Sequence, residues 1–147
     1  MKLFIFTVFS FAILTTLSIS LFVLAKSPTA TIKNHTFILD VAKTAKQQEI
    51  GLAKYTSLPM NKAMYFPFDR DGYYSFWMKN MHFAIDIIYI RNSKIVTIFS
   101  SVPAPTKNQI FLPIYQPVSP ANAVLEINAG LAKKYGFTIG DKIYLHV

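Results

Sequence analysis

The sequence predicts a mainly β fold of the α+β class: a compact β-barrel or sandwich of short, mostly antiparallel strands with two short helices, behind an N-terminal hydrophobic helix. Three observations predict it. Apolar and β-branched residues occur in short runs at close spacing. Turn-forming residues separate these runs, and only two short stretches carry helix-capping patterns. A length of 147 residues suits one domain plus a targeting segment.

The N-terminal segment, residues 3–25, contains no charged residue. As a helix rising about 1.5 Å per residue it would reach roughly 34 Å, enough to cross the hydrocarbon layer of a membrane. Lys2 before it and Val23-Leu24-Ala25 at its end also fit a cleaved secretory signal. We therefore predict a signal peptide or membrane anchor over 1–25, and a periplasmic or extracellular protein that is either secreted or anchored.

The net charge is +8, and without Lys2 the 14 remaining basic residues against 7 acidic ones leave +7 on residues 26–147. These basic residues are scattered, and Lys133-Lys134 is the one adjacent pair. Nucleic-acid binders usually concentrate positive charge in a patch, so no nucleic-acid partner is predicted. The absence of cysteine excludes disulfides and thiolate chemistry.

The first elements follow the export segment. Residues 26–35 read as a tether and first strand, before a single β-rich domain over 36–147. Alternating apolar residues predict a strand over Thr36–Ala42. Thr44, followed three residues later by Gln47, is a capping-box pattern that begins a short helix over Ala45–Leu52.

A hairpin is predicted next. Ala63–Phe68 is an apolar run whose Pro67 indicates an edge strand or a bulge. Asp69-Arg70-Asp71-Gly72 has turn chemistry, so Tyr73–Met78 is predicted as the returning strand.

A second hairpin joins Ile85–Ile90 to Lys94–Phe99 through Asn92-Ser93. Five prolines within residues 101–120 predict a long ordered loop or arm.

The chain closes with three further elements. Ala121–Ile127 reads as a strand, and Asn128 can cap a short helix that runs through Tyr135 and ends at Gly136. Lys142–Val147 is the last strand.

The richest polar stretch follows Phe76, where Trp77, Lys79 and Asn80 stand close together. Burying an indole removes roughly 150–250 Å² from water, so Trp77 can be explained as a core residue. The alternative is that Trp77 forms a wall of a cleft in which Lys79 and Asn80 present hydrogen-bond donors.

Asp86 and Glu126 each lie among apolar residues of a predicted strand. A buried carboxyl group must be paired, hydrogen-bonded or protonated. Each can tie down nearby main chain or a lysine, with Lys79 a plausible partner of Asp86. Alternatively, both line one polar pocket with Lys79 and Asn80, where two acids would permit acid–base hydrolysis, for example of a glycosidic bond.

The sequence gives little support for a metal site, a serine nucleophile or a nucleotide-binding site. His82 and Asp86 are four residues apart, which on a strand is about 13 Å and too far for one metal ion. No serine stands in a Gly-x-Ser-x-Gly elbow, and no nucleotide-binding pattern is present. We predict no metal and no cofactor.

Several strings along the chain resemble one known family. They include Phe76-Trp77-Met78-Lys79-Asn80, Ile85-Asp86-Ile87-Ile88-Tyr89-Ile90 and Val124-Leu125-Glu126-Ile127-Asn128-Ala129-Gly130, with Gly51-Leu52 before them and Gly140-Asp141 after. From about Phe37 to Val147 the chain is similar to the domain of unknown function 192 family, also called uncharacterised protein family 0127. The resemblance implies a compact, mostly β fold, commonly behind an export signal, and no established activity.

The function that these residues favour is an exported, non-enzymatic envelope module that binds a small molecule, a glycan or a protein partner. Its polar lining would be Lys79, Asn80, Asp86 and Glu126, and its apolar walls Trp77, Met64 and Phe66. One alternative is an acid–base hydrolase that acts on an envelope polymer through Asp86 and Glu126. The other is a purely structural accessory domain. The membrane is a further partner, through residues 3–25, if that segment stays uncleaved.

Overall fold

The fold is described by a computed structural model over residues 26–147. The predicted signal peptide or anchor, residues 1–25, lies outside the described residues. Within 26–147, no helix is long and apolar enough to cross a membrane.

Seven strands, two short α-helices and one 3-10 helix make up the domain. In chain order they are β1 (Thr29–Ile32), β2 (His35–Val41), α1 (Ala45–Ile50), the 3-10 helix (Gly51–Lys54), β3 (Lys62–Gly72), β4 (Ile85–Arg91), β5 (Lys94–Val102), β6 (Ala121–Asn128), α2 (Leu131–Lys134) and β7 (Ile143–His146). The first strand therefore lies within residues 26–35, the segment predicted as a tether and first strand.

The strands form one sheet in the order β5-β4-β6-β3-β2-β1-β7. Every neighbouring pair is antiparallel except β2 and β3. The two edge strands approach each other at one end, where Lys94 faces Lys142 and the Ile95 amide donates to the Asp141 carbonyl at 3.0 Å. The sheet is thus a curled half-barrel with two short helices, which confirms the predicted mainly β class.

Each face of the sheet carries its own apolar cluster. The cluster inside the curl draws residues from all seven strands and is closed at one end by Leu131 and Ala132 of α2. The outer cluster forms over the middle strands and includes Met64, Phe66 and Ile87. Because both faces of β4 are covered, all its residues up to Ile90 are buried.

The second predicted hairpin is confirmed. Asn92 and Ser93 connect β4 to β5, and both have positive φ, 48° and 59°. This is the geometry of a two-residue turn whose twist matches that of the strands it joins.

The first predicted hairpin is wrong. β3 runs on through Gly72, which pairs with Ala121 of β6 after an irregularity in register that begins at Pro67. Pro67 therefore marks a bulge in a central strand, and the edge-strand alternative is wrong. The strand that pairs with β3 along this stretch is β6, and β2 takes the other side at Lys62, Ala63, Met64 and Tyr65.

The segment predicted as the returning strand, Tyr73–Met78, is irregular. Only Phe76 makes a strand-like bridge, and its partner is Tyr115 in the proline-rich arm. The Tyr74 ring stacks on Phe68 at 3.6 Å, and its hydroxyl donates to the Arg70 carbonyl at 2.8 Å. These contacts fold the segment against the outer end of β3.

Candidate functional site

Glu126 is the polar centre of the outer face. In the sheet it stands opposite Met64 of β3 on one side and Ile87 of β4 on the other. It is only 6% exposed, and its Oε2 atom is buried without a hydrogen-bond partner in the described part of the chain. Burial raises the pKa of this carboxyl to about 8, because the charged form loses its hydration there. The side chain is therefore mostly protonated at neutral pH.

Glu126 opens onto a cavity of about 300 Å³. Its walls come from three segments of the chain: Gln48, Glu49, Ile50, Gly51 and Leu52 from α1 and the 3-10 helix; Phe66 and Phe68 from β3; and Tyr74, Ser75, Phe76, Trp77, Lys79 and Met81 from the irregular segment. The cavity thus combines aromatic walls with one buried, unpartnered acid.

Gly51 leaves room at the position nearest the acid. Its φ of +54° is one that side chains rarely adopt. A Cβ atom there would stand 3.6 Å from the Phe66 ring and 4.0 Å from Glu126 Oε2. These are ordinary contacts, so the backbone conformation is what favours glycine at this position.

Trp77 lies at the wall of this cavity and is 48% exposed, so the core interpretation of this residue is wrong. The Lys79 Nζ atom lies 5.1 Å from the centroid of the Trp77 ring, a cation–π contact. Phe66 lines the cavity, whereas Met64 is buried and does not line it. Asn80, in a left-handed turn conformation with φ 60°, is exposed outside it.

Asp86 does not join this site. It neighbours Ile87 on β4 and therefore faces the inside of the curl, whereas Glu126, opposite Ile87, faces outward. Asp86 Oδ1 accepts from the amides of Ser101 and Gly130 at 2.7 and 2.8 Å, and Oδ2 accepts from Ala132 at 2.7 Å. Both oxygens of the carboxyl group therefore accept hydrogen bonds from main-chain amides.

Two interpretations of Asp86 are corrected by this geometry. The predicted pair with Lys79 does not form, because Lys79 lies over Trp77 on the other face. The two acids stand on opposite faces of the sheet and cannot share a cleft. This excludes the hypothesis of an acid–base hydrolase in which Asp86 and Glu126 act together.

Asp86 also replaces the predicted helix cap. The N-cap of α2 is Gly130, with φ 80° and no side-chain bond, and the Asp86 carboxyl group from β4 accepts from the amides of Gly130 and Ala132 at the start of the helix. Asn128 instead donates to the Leu58 carbonyl at 2.9 Å. The prediction of Asn128 as the cap is wrong because a carboxyl group from a neighbouring strand already takes the amides.

A second groove, of about 420 Å³, runs past Asp40, Lys54 and Tyr55. Its polar groups bond to one another: Asp40 Oδ2 lies 2.7 Å from Lys54 Nζ and accepts from the Tyr55 hydroxyl at 2.6 Å. No acid there is left without a partner, so this groove offers a weaker indication of a ligand. Over residues 26–147, no group of three or more His, Cys, Asp or Glu side chains could hold a metal ion.

Sequence reasoning missed the α1 wall of the cavity, namely residues 48–50, and the aromatic pair Phe68 and Tyr74. The Gly51-Leu52 string was noted only as one of the strings that resemble the family. The role of Gly51 depends on Glu126, which comes 75 residues later in the chain and lies near it in the fold.

Comparison with known proteins gives a family and a fold. Residues 28–145 match DUF192, described as an uncharacterized ACR. A crystal structure of a protein of unknown function from Novosphingobium aromaticivorans is 29% identical, covering 80% of this chain and 82% of that one with a TM-score of 0.70. A protein from Sinorhizobium meliloti, proposed to be a transcription regulator, is 24% identical over 80% of this chain and 91% of its own, with a TM-score of 0.71. No curated protein matches the chain.

Proposed function

The chain belongs to the DUF192 family of uncharacterised proteins, and we propose that it is an exported, non-enzymatic module that binds a small molecule or a glycan in the cavity at Glu126. The single observation that carries the proposal is Glu126 Oε2, a buried polar atom with no partner among residues 26–147. Leaving such a group unpaired costs about 1–3 kcal/mol. A ligand hydroxyl or amide in the cavity would supply the missing hydrogen bond.

The walls suit a ligand that is partly apolar and partly polar. The half-exposed Trp77 indole offers a flat surface for a sugar ring or another planar group. Lys79, held over that ring, adds a positive charge at the same wall, while a protonated Glu126 presents a neutral donor and acceptor. Glu49 at the same cavity adds a negative charge, so the lining carries one charge of each sign and favours a neutral polar molecule.

Export is the second part of the proposal. It is supported by the 23 uncharged residues that precede Lys26 and by the absence of cysteine. Intact-mass measurement of the protein recovered from the cell envelope tests it. We expect either the full chain in the membrane fraction or a chain that begins near Lys26 outside the cytoplasm. Recovery of the full chain in the cytoplasmic fraction alone would contradict export.

The binding proposal can be tested with the protein's own fluorophore. Trp77 is the sole tryptophan and lines the cavity, so its emission reports occupancy directly. The protein is titrated with N-acetylglucosamine oligomers and with soluble fragments of envelope polymer. We expect a saturable change of Trp77 emission with at least one of them.

Two variants of similar size provide the control. Glu126→Gln keeps a neutral group with a donor and an acceptor, whereas Glu126→Leu keeps the volume and removes both. Binding should survive in the first variant and weaken about tenfold or more in the second, the loss expected when a ligand group is left unpaired. Equal affinity in the wild type and Glu126→Leu would show that the cavity is not the binding site.

A further inference from the structure

The proline-rich arm, residues 103–120, carries an unusually exposed apolar tip. Ile110 and Phe111, adjacent in sequence, are 86% and 88% exposed. Single exposed apolar residues are ordinary on a protein surface, whereas two consecutive large ones form an exposed apolar patch of the kind found at contact sites.

The tip is held in shape by its own hydrogen bonds. The Gln109 amide donates to the Thr106 carbonyl at 3.0 Å, and the Gln109 side chain donates to the Phe111 carbonyl at 3.1 Å. The exposed side chains are therefore presented on an ordered turn, which lowers the entropy lost when the tip is immobilised.

The base of the arm extends the apolar surface to Trp77. Phe76 and Tyr115 exchange backbone hydrogen bonds of 2.9 and 2.8 Å, and the Gln116 side chain donates to Ser75 at 2.7 Å. This antiparallel register places Trp77 beside Ile114, which is 57% exposed. We call Trp77, Ile110, Phe111 and Ile114 the arm surface.

Charge favours a lipid surface as the partner. Lys107 is the single charged residue of the arm, so no acid opposes contact with anionic head groups, and residues 26–147 carry +7 overall. Directly before Lys26 stand 23 uncharged residues, whose length is that of a membrane segment. Tryptophan with adjacent lysine is also the composition found where proteins meet the head-group region.

We propose that the arm surface inserts into the head-group region of the membrane beside which the domain sits, with Ile110 and Phe111 deepest. A protein partner would need a concave site to receive a projecting tip, whereas a bilayer receives it without one. Insertion would hold the Trp77 wall of the cavity at the membrane surface. This proposal rests on the membrane-anchored form of the exported protein, which the intact-mass measurement tests separately, and does not depend on the cavity binding a ligand.

The absence of cysteine permits a clean test on the full chain. Phe111→Cys and, separately, Ile110→Cys are labelled with an environment-sensitive fluorophore. Each protein is placed in lipid nanodiscs at one chain per disc, which excludes contact with a second copy. The control is Ile139→Cys, an exposed apolar position (67%) on the turn before β7. Nitroxide-labelled lipids then quench whatever fluorophore lies among them.

We expect the two arm labels to be quenched at least about twofold more than the Ile139 label, since only inserted groups lie among the lipids. Circular dichroism confirms that each labelled protein is folded. Equal quenching at the arm and at Ile139 in folded protein would overturn the proposal. So would arm quenching that appears only when discs hold two chains, because it would assign the arm surface to a second copy.

Discussion

Asp86 and Glu126 occupy neighbouring strands, are both buried, and are used in opposite ways. Asp86 accepts three main-chain hydrogen bonds that join β4 to Ser101 of β5 and to the start of α2. Glu126, one strand away on the other face, leaves Oε2 without a bond. The first acid is structural, whereas the second lowers stability and is explained best by something that binds it.

Replacing Asp86 by Asn should destabilise the fold strongly. An amide nitrogen would face main-chain N–H donors, which would be left unpaired in the core. We expect the free energy of unfolding to fall by about 3 kcal/mol or more. Urea denaturation followed by circular dichroism measures this change. A loss below about 1 kcal/mol, the ordinary range for surface changes, would contradict a structural role for Asp86.

The same chemical change at Glu126 should have the opposite sign. Because the pKa of Glu126 is raised from 4.5 to about 8, the folded protein holds a proton that the unfolded chain has released between these pH values. The contribution of Glu126 to stability is therefore highest below pH 4.5, falls by up to about 1.4 kcal/mol per pH unit toward pH 8, and is level above it. Glu126→Gln removes this decline.

We therefore expect Glu126→Gln to raise the free energy of unfolding by about 1–3 kcal/mol at pH 7 and to leave it nearly unchanged at pH 4. Urea denaturation of both proteins across pH 4 to 9 gives the difference directly, since other titrating groups are common to the two. A difference that did not grow between pH 5 and 8 would show that Glu126 titrates normally and is hydrated.

At the scale of elements, residues whose partners are local could be predicted from the sequence and the others could not. The capping box at Thr44 and the turn at Asn92-Ser93 depend on neighbours within three residues, and both are confirmed. The cap of α2 depends on Asp86, 46 residues before Ala132, and the prediction of Asn128 failed there. Tyr73–Met78 failed similarly, because Phe76 pairs with the distant Tyr115.

The residues of the candidate site also divide into those that a local pattern reveals and those that depend on distant partners. Period-2 alternation identified Asp86 and Glu126 as buried acids, but their opposite faces follow from the pairing of β4 with β6, which no local pattern encodes. Residues around Trp77 were found because they are chemically conspicuous. The α1 wall was missed because its residues are ordinary helix formers that acquire a role only by packing over Glu126.

The capping box should control the α1 wall of the cavity. The Thr44 hydroxyl accepts from the Gln47 amide at 3.2 Å, and the Gln47 side chain accepts from the Thr44 amide at 2.9 Å. Thr44→Ala should loosen α1 by about 1 kcal/mol, while Thr44→Ser retains the bond. Hydrogen exchange at the Gln47 and Gln48 amides should speed up in the first variant alone. Equal exchange in both variants would mean that packing, and not capping, holds this helix.

The molecule as a whole depends on the closure of its sheet between β5 and β7. Beyond the bridge between Lys94 and Lys142, the Gly140 amide donates to the Ile95 carbonyl at 2.8 Å and the Ile143 amide to the Ser93 carbonyl at 2.9 Å. The turn that makes this contact is fixed by Asp141, whose Oδ2 accepts from the Thr138 amide at 2.7 Å. Lys33, between β1 and β2, pairs with the same oxygen at 3.2 Å.

Asp141→Asn should therefore open the closed end and leave the middle of the sheet intact. The Thr138 amide and Lys33 hold the pKa of Asp141 below its usual value, so its contribution is present at neutral pH and is lost as the pH falls through that lowered value. We expect faster hydrogen exchange at the Ile95, Gly140 and Ile143 amides of the variant at pH 7, with the β4–β6 amides unchanged. Acidification should bring the exchange rates of the wild type toward those of the variant.

Asp69→Asn, at an exposed position with no such bonds, is the control, and it should leave these amides protected. If Asp141→Asn sped exchange throughout β4 and β6 as well, closure and core would form one cooperative unit, and the half-barrel would not open at one end alone.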